Sequence, residues 1–269
     1  MKEFKSFYKT VTAAEGDRCK YPTRLDTYGC GCQHDCSYCY AKSLLAFRGL
    51  WHPEEPSVAD LTKIRRKLDK IPAGTILRLG GMTDCFQRCE EQHRITYETI
   101  RMMNERRIGY LIVTKSDLVC EYMNILDKEL AHIQISTTWL SCEKTVSTER
   151  RIKAVQALYN NGFDVAVRLS PFVPEIVNFG ELNGIQCDKV QVEFLRVNHW
   201  IRKWLPMDYS RYTLKSGGYN HLTLPDKVEA LEKITGFKQV SVCEDVPEHY
   251  EYWRQYVNPN PEDCCNLRR

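Results

Sequence analysis

Short runs of β-branched and aliphatic residues alternate along this chain with longer stretches whose apolar positions recur three and four apart. The first pattern predicts strands and the second amphipathic helices, and their alternation predicts βα units around a parallel sheet. Strands are expected at 23–27, 75–79, 110–114, 133–137, 164–169 and 189–195. Helices are expected at 41–50, 58–71, 91–107, 118–130 and 148–160, the last closed by Asn161-Gly162. Six such units fit an incomplete α/β barrel over residues 1–199, with residues 200–269 as an extension packed on it. A further strand at 237–242 and a helix at 247–256 are expected in that extension.

In barrels of this kind the site lies at the C-terminal ends of the strands. The first strand feeds Gly-Cys-Gln-His-Asp-Cys-Ser-Tyr-Cys-Tyr, which places Cys32, Cys36 and Cys39 on one short loop. Three thiolates at this spacing can hold three corners of a four-iron cube and leave the fourth iron open. An open coordination position is the mark of a catalytic metal site. A zinc knuckle is the competing reading, but such sites use two separated cysteine pairs, and no clean second pair follows. Cys30 is a spare whose use would lengthen the first gap.

Composition narrows the class. At 269 residues the chain can form one large domain with a full core. Its 13 cysteines would suggest disulfides in a secreted protein. The opening Met-Lys-Glu-Phe-Lys-Ser has no apolar signal core and no run of membrane-spanning length exists, so reduced thiols in the cytoplasm are expected. A net charge of +3 neither demands nor excludes a polyanionic partner.

Cys-x3-Cys-x2-Cys with Tyr38 before the third cysteine resembles the signature of the radical-SAM superfamily. Cys-Ser-Tyr-Cys-Tyr, Thr-Asp-Cys-Phe-Gln, Val-Thr-Lys-Ser and Arg-Leu-Ser-Pro-Phe-Val-Pro, over roughly residues 23–200, resemble its spore photoproduct lyase-like branch. The resemblance implies a partial (β/α)6 barrel, a [4Fe-4S] cluster on Cys32, Cys36 and Cys39, and S-adenosylmethionine on the open iron. It further implies an electron donor of the flavodoxin or ferredoxin type, and reductive cleavage giving a 5′-deoxyadenosyl radical. In the lyase that radical takes hydrogen from a thymine dimer in DNA, and a cysteine with nearby tyrosines returns one. Tyr38 and Tyr40 match the tyrosines. Cys85 lies in the region of the donor cysteine, with Cys89 in reserve, although that loop does not align residue for residue.

Strand ends supply the remaining candidates. Gly80, Gly81, Thr83 and Asp84 follow the second strand, where the superfamily holds the methionyl ammonium; a glycine turn with a helix cap is the plainer account. Lys115 follows the third strand and suits a carboxylate, and Ser136 ends the fourth with a small hydroxyl. Arg168, on the fifth, would need an anionic partner. Beyond the sixth, residues 200–219 interleave Trp, Tyr, Arg and Lys around Ser216-Gly217-Gly218. This predicts a basic aromatic hairpin for nucleic acid or, equally, a cover for the open side of the barrel. Cys243, Cys264 and Cys265, with Cys187 or His249, are candidates for a second metal. The expected activity is therefore radical-SAM chemistry on a nucleobase in DNA, by lesion repair or base modification. A radical-SAM enzyme for a peptide or small metabolite is the first alternative. A non-catalytic metal-stabilised nucleic-acid-binding module is the second.

Overall fold

A computed structural model describes residues 4–12 and 18–268. Its central sheet has eight strands in chain order: β1 (Tyr8–Thr10), β2 (Thr23–Leu25), β3 (Ile76–Leu79), β4 (Gly109–Thr114), β5 (Ala131–Ser136), β6 (Asp164–Phe172), β7 (Lys189–Phe194) and β8 (Gln239–Val242). β1 runs antiparallel to β2 and every later neighbour pairs in parallel. β1 and β8 are the two edges, so the sheet is an open, partial barrel. The six predicted strands are present, and β8 adds a seventh parallel one, drawn from the C-terminal extension.

Period-two patterning builds the two faces. Ile133, Ile135, Val165, Val167, Val190 and Val192 are at most 4 % exposed and join the main apolar core. The alternate positions Gln134, Ser136, Arg168 and Gln191 are equally buried but polar. Such groups are stable inside only when hydrogen-bonded, and here they bond to one another and to the chain's own tail.

That tail seals the N-terminal end of the barrel. Gln134 Nε2 and Gln191 Nε2 donate to the carbonyls of Cys265 (3.4 Å) and Cys264 (3.0 Å). Lys189 Nζ donates to Asn266 O (2.7 Å), Tyr21 Oη to Asp263 (2.6 Å), and the Arg268 amide to Asp164 (2.8 Å). Leu267 packs with Tyr21 and Leu111. A chain ending at residue 262 is expected to lose roughly 2–4 kcal/mol, because several buried donors lose their acceptors. For a domain of this size that lowers the melting temperature by about 5–10 °C. An unchanged thermal transition would refute the structural role of the tail.

The second metal expected on this segment finds no support. The thiols of Cys243 and Cys265 lie within hydrogen-bond reach of Cys264. Yet among the described residues no group of three or more His, Cys, Asp or Glu side chains is placed to hold a metal ion. Cys187 faces the carbonyls of Val165 and Lys189, and His249 pairs with Lys227 and Glu244.

Two predicted helices are interrupted for identifiable reasons. The stretch 91–107 breaks at Arg94 (φ +52°) into Glu90–His93 and Ile95–Glu105. Glu90, fully buried, accepts from the amides of Thr96 and Tyr97 (2.9 Å each) and from the hydroxyls of Tyr28 (2.5 Å) and Tyr122 (2.7 Å). It thereby caps the second helix from within. The stretch 118–130 is only a 3-10 turn at Asp117–Tyr122. Asn104 takes the Ile125 carbonyl and Tyr110 Oη takes the Asp127 amide, groups that a continuing helix would need.

Candidate active site

At the opposite end, the C-terminal ends of the parallel strands surround a cleft with about 990 Å³ of empty space, its mouth included. Cys32, Cys36 and Cys39 all line it, with Tyr38, Tyr40, Gly80, Gly81, Lys115, Ser136 and Arg168. The structure thus brings together predicted residues from five separate segments.

The cysteine loop is fixed from several sides. Tight turns join the Asp35 amide to Cys32 O (3.0 Å) and the Cys39 amide to Cys36 O (3.1 Å). Gln87, fully buried, accepts from the Gln33 amide (2.9 Å), and Gln33 Oε1 accepts from the Cys89 amide (2.7 Å). Burial pushes the Cys32 thiol up to about 12, with the Asp84 carboxylate adding to it. The three thiols line a common void.

Asp84 is the joint of the site. Its Oδ1 accepts from Thr114 Oγ1 and the Phe86 amide (2.8 Å each), and its Oδ2 from the Lys115 amide (2.7 Å). His34 Nε2 lies 3.1 Å from the same carboxylate. Burial alone would raise the Asp84 carboxyl, but His34 and the amides of Lys115 and Phe86 hold it below the usual range. The residue therefore ties the cysteine loop to the ends of β3 and β4. Thr83 Oγ1 donates to Tyr28 O (2.7 Å) and is likewise committed to the frame. Gly80 and Gly81 line the cleft together with Met82, Thr83 and Asp84; Gly80 has φ +78°, and a Cβ on Gly81 would stand 2.0 Å from Arg24 Cδ. Asp26 Oδ1 holds this turn through the amides of Gly81 (2.5 Å) and Met82 (3.1 Å).

Arg168 has its anion already. It bonds Gln134 (2.7 Å), Gln191 and Glu193 (2.5 Å). Burial alone would raise the Glu193 carboxyl, but Arg168 and then Arg196 hold it at about 2. Ser136 Oγ donates to Ser170 O (2.8 Å). Lys115 Nζ instead sits 5.5 Å from the Tyr38 ring centroid, with no carboxylate paired to it among the described residues. Arg78 also lines the cleft, and its buried Nε has no hydrogen-bond partner.

Cys85 is placed elsewhere than its expected role requires. It is fully buried, does not line the cleft, and its Sγ faces Leu79 O at 3.9 Å. The chain turns at Gly80 so that the Cys85 side chain enters the core behind the strand end. Tyr40 Oη donates to Gly81 O, and burial pushes its hydroxyl up to about 12. Tyr38 Oη donates to Glu143, a residue the sequence gave no reason to single out. Glu143, its side chain 2 % exposed, pairs with Arg151 (2.8 Å) and accepts from Thr138 Oγ1 (2.8 Å). Burial raises its carboxyl to about 7 against the pull of Arg151. No spacing signal marks this pair, since Arg151 reads as an ordinary charge on the helix Thr148–Asn160.

The predicted hairpin is present. Leu214–Ser216 pairs antiparallel with Tyr219–His221 across Gly217 and Gly218, both at positive φ. Tyr219 reaches the cleft, and the Arg196 guanidinium lies 5.5 Å from its ring centroid and 5.8 Å from that of Tyr40. Among the described residues no helix is long and apolar enough to cross a membrane.

No family model matches the chain. An uncharacterized protein of Methanocaldococcus jannaschii is 26 % identical over 168 residues, 57 % of this chain; the chain matches 62 % of that relative's length. A spore photoproduct lyase mutant with dinucleoside spore photoproduct superposes at a TM-score of 0.64 and 14 % identity, over 89 % of this chain and 79 % of that one. Another mutant, with bound AdoMet and dinucleoside spore photoproduct, gives 0.59 at 15 % identity, over 89 % and 80 %. The chain therefore has a radical-SAM-type partial barrel, the fold of spore photoproduct lyase.

Proposed function

We propose that this chain is a radical-SAM enzyme acting on a nucleobase in DNA. The observation that carries the reading is the shared cleft. Three thiols from one loop line it, facing Lys115, Ser136 and a glycine turn on neighbouring strand ends. These residues fit the implied group, a [4Fe-4S] cluster on Cys32, Cys36 and Cys39 with S-adenosylmethionine beside it. When bound, the pair supplies one-electron cleavage of the sulfonium and hence hydrogen-atom abstraction.

The chain's own residues then bind, orient and shield. Lys115, its amide fixed by Asp84, offers an ammonium to the methionyl carboxylate. The Gly80–Gly81 backbone allows close approach, and Tyr38 and Tyr40 wall the cleft beside the cysteine loop. Of the lining cations, Arg168 and Arg196 are held by Glu193 and Asp245, which leaves Lys115 and Arg78 to favour an anionic substrate. Tyr219 at the hairpin suits stacking on an extruded base. The position of Cys85 in the core favours base modification over a lyase that returns hydrogen from that thiol.

Anaerobic reconstitution with iron and sulfide should give a brown protein that forms 5′-deoxyadenosine from S-adenosylmethionine with dithionite. A panel of UV-damaged, modified and undamaged oligonucleotides should change the rate or yield product. Cleavage insensitive to every oligonucleotide would move the substrate to a peptide or small metabolite; no cleavage would end the radical-SAM reading. Lys115→Met should weaken S-adenosylmethionine binding by about tenfold or more, read by equilibrium titration, with iron content unchanged.

A further inference from the structure

Arg24 and Arg78 are register partners on the adjacent parallel strands β2 and β3, so both side chains leave the sheet on one face from backbones about 4.8 Å apart. Like charges set side by side on a sheet are destabilising unless an anion answers them. Both buried Nε atoms lack a hydrogen-bond partner among the described residues. Arg24 at least has the Asp26 carboxylate at 3.1 Å. The Arg78 guanidinium has neither an ion pair nor a hydrogen bond among those residues. This sets it apart from Arg168 and Arg196, which are held by Glu193 and Asp245.

The two arginines border a side chamber with about 380 Å³ of empty space, its mouth included. Tyr40, Arg78 and Gly81 line both this chamber and the main cleft, so the two spaces adjoin. Burial raises the Asp26 carboxyl against the pull of Arg24 and of the Gly81 and Met82 amides, so Asp26 offsets one guanidinium at most. Cys19, the thiol that lines the chamber, is pushed up to about 11 by burial and stays neutral. Glu193 also senses Arg78, but it is committed to Arg168 and Arg196. The chamber is thus left with an unanswered positive charge.

A phosphodiester brings one negative charge and two free oxygens, which suits two neighbouring guanidinium donors. The methionyl carboxylate of the proposed cofactor has a cation of its own in Lys115, at the end of β4. The Arg196 guanidinium lies 5.5 Å from the Tyr219 ring centroid and 5.8 Å from that of Tyr40, so one side chain spans from the hairpin to the chamber wall. We propose that Arg24 and Arg78 form a phosphodiester subsite, which holds the backbone phosphate beside a base stacked on Tyr219. This deepens the nucleic-acid part of the function proposed above and rests on it.

The probes are a short thymidine oligonucleotide and the same oligomer with neutral methylphosphonate linkages, titrated into the reconstituted protein without dithionite. Arg78→Met should weaken binding of the diester oligomer about tenfold and leave the methylphosphonate oligomer unaffected. The slope of log affinity against log salt should fall by about one, as expected for one lost phosphate contact. Arg78→Lys should recover part of the affinity, because it restores the charge without the planar fork. No partner is stranded by the change, so Arg78→Met should not lower the urea midpoint. Equal diester affinity in wild type and Arg78→Met overturns the subsite. So does an equal loss for both oligomers, which would make Arg78 a structural group. Weaker S-adenosylmethionine binding with oligonucleotide affinity intact would assign the pair to the cofactor. Binding of inorganic phosphate by a protein that ignores the oligomer would assign it to a free anion, and either result also overturns the proposal. Binding is read without turnover. An Arg78-dependent preference for the diester therefore supports the subsite even if S-adenosylmethionine is not cleaved, and only the radical-SAM reading then falls.

Discussion

Replacing Cys32, Cys36 and Cys39 together with alanine is expected to abolish both iron retention and formation of 5′-deoxyadenosine after anaerobic reconstitution. The effect should be total rather than graded, because the three thiols line one void and no neighbouring thiol among the lining residues can substitute. Folding should survive. The loop is held by Gln33 and Gln87, by the Lys144 amide on His34 O (2.8 Å), and by Asp84 through His34, none of which uses a cysteine side chain. Circular dichroism and iron analysis on the same sample separate the outcomes. Residual iron near wild-type levels would reassign the metal to other thiols and refute the site.

The second large effect concerns the barrel interior. Arg168 and Glu193 have side chains 5 % and 25 % exposed and meet at 2.5 Å. Removing one partner of a buried pair leaves the other uncompensated, at about 3–5 kcal/mol. Arg168→Met or Glu193→Gln should therefore lower the urea midpoint severely. The double variant should recover part of the loss, since neither charge is then stranded. The pH dependence has a fixed sign. Glu193 is held at about 2 in the folded chain against 4.5 unfolded. Its contribution is present above pH 4.5 and is lost as pH falls through about 2. Glu193→Gln should flatten the stability profile in that acid window. An unchanged profile would show that the pair is not coupled to folding.

The fold was readable where a pattern of period two or 3.6 spoke for itself. All six strands of the predicted barrel appear, because buried parallel strands read as runs of valine, isoleucine and leucine. β8 was recognisable as a strand, but its place beside β7 was not, since register depends on partners far away in sequence. The helix ends failed where a distant side chain captured a backbone group, as Glu90 does at residues 96 and 97 and Asn104 at Ile125. At the site, local motifs were legible: the cysteine loop, the glycine turn, Lys115. Long-range pairings were not. Arg168 read as a cation in search of a ligand, yet its anion is Glu193 from the next strand. Asp84 read as a ligand to the cofactor, yet its oxygens join three segments of the frame. Cys85 read as a reactive thiol from its position in the chain, yet its side chain lies in the core against Leu79 O.

The sealed floor of the barrel has a kinetic consequence. With residues 263–268 closing the far end, the proposed function would have cofactor and substrate share the mouth beside the hairpin. Whatever rests on the cysteine loop and Lys115 sits beneath whatever follows it in. Turnover should accordingly be ordered, with S-adenosylmethionine first on and its nucleoside fragment last off. Excess substrate should then trap the empty enzyme and inhibit it, a pattern that a barrel open at both ends would not impose.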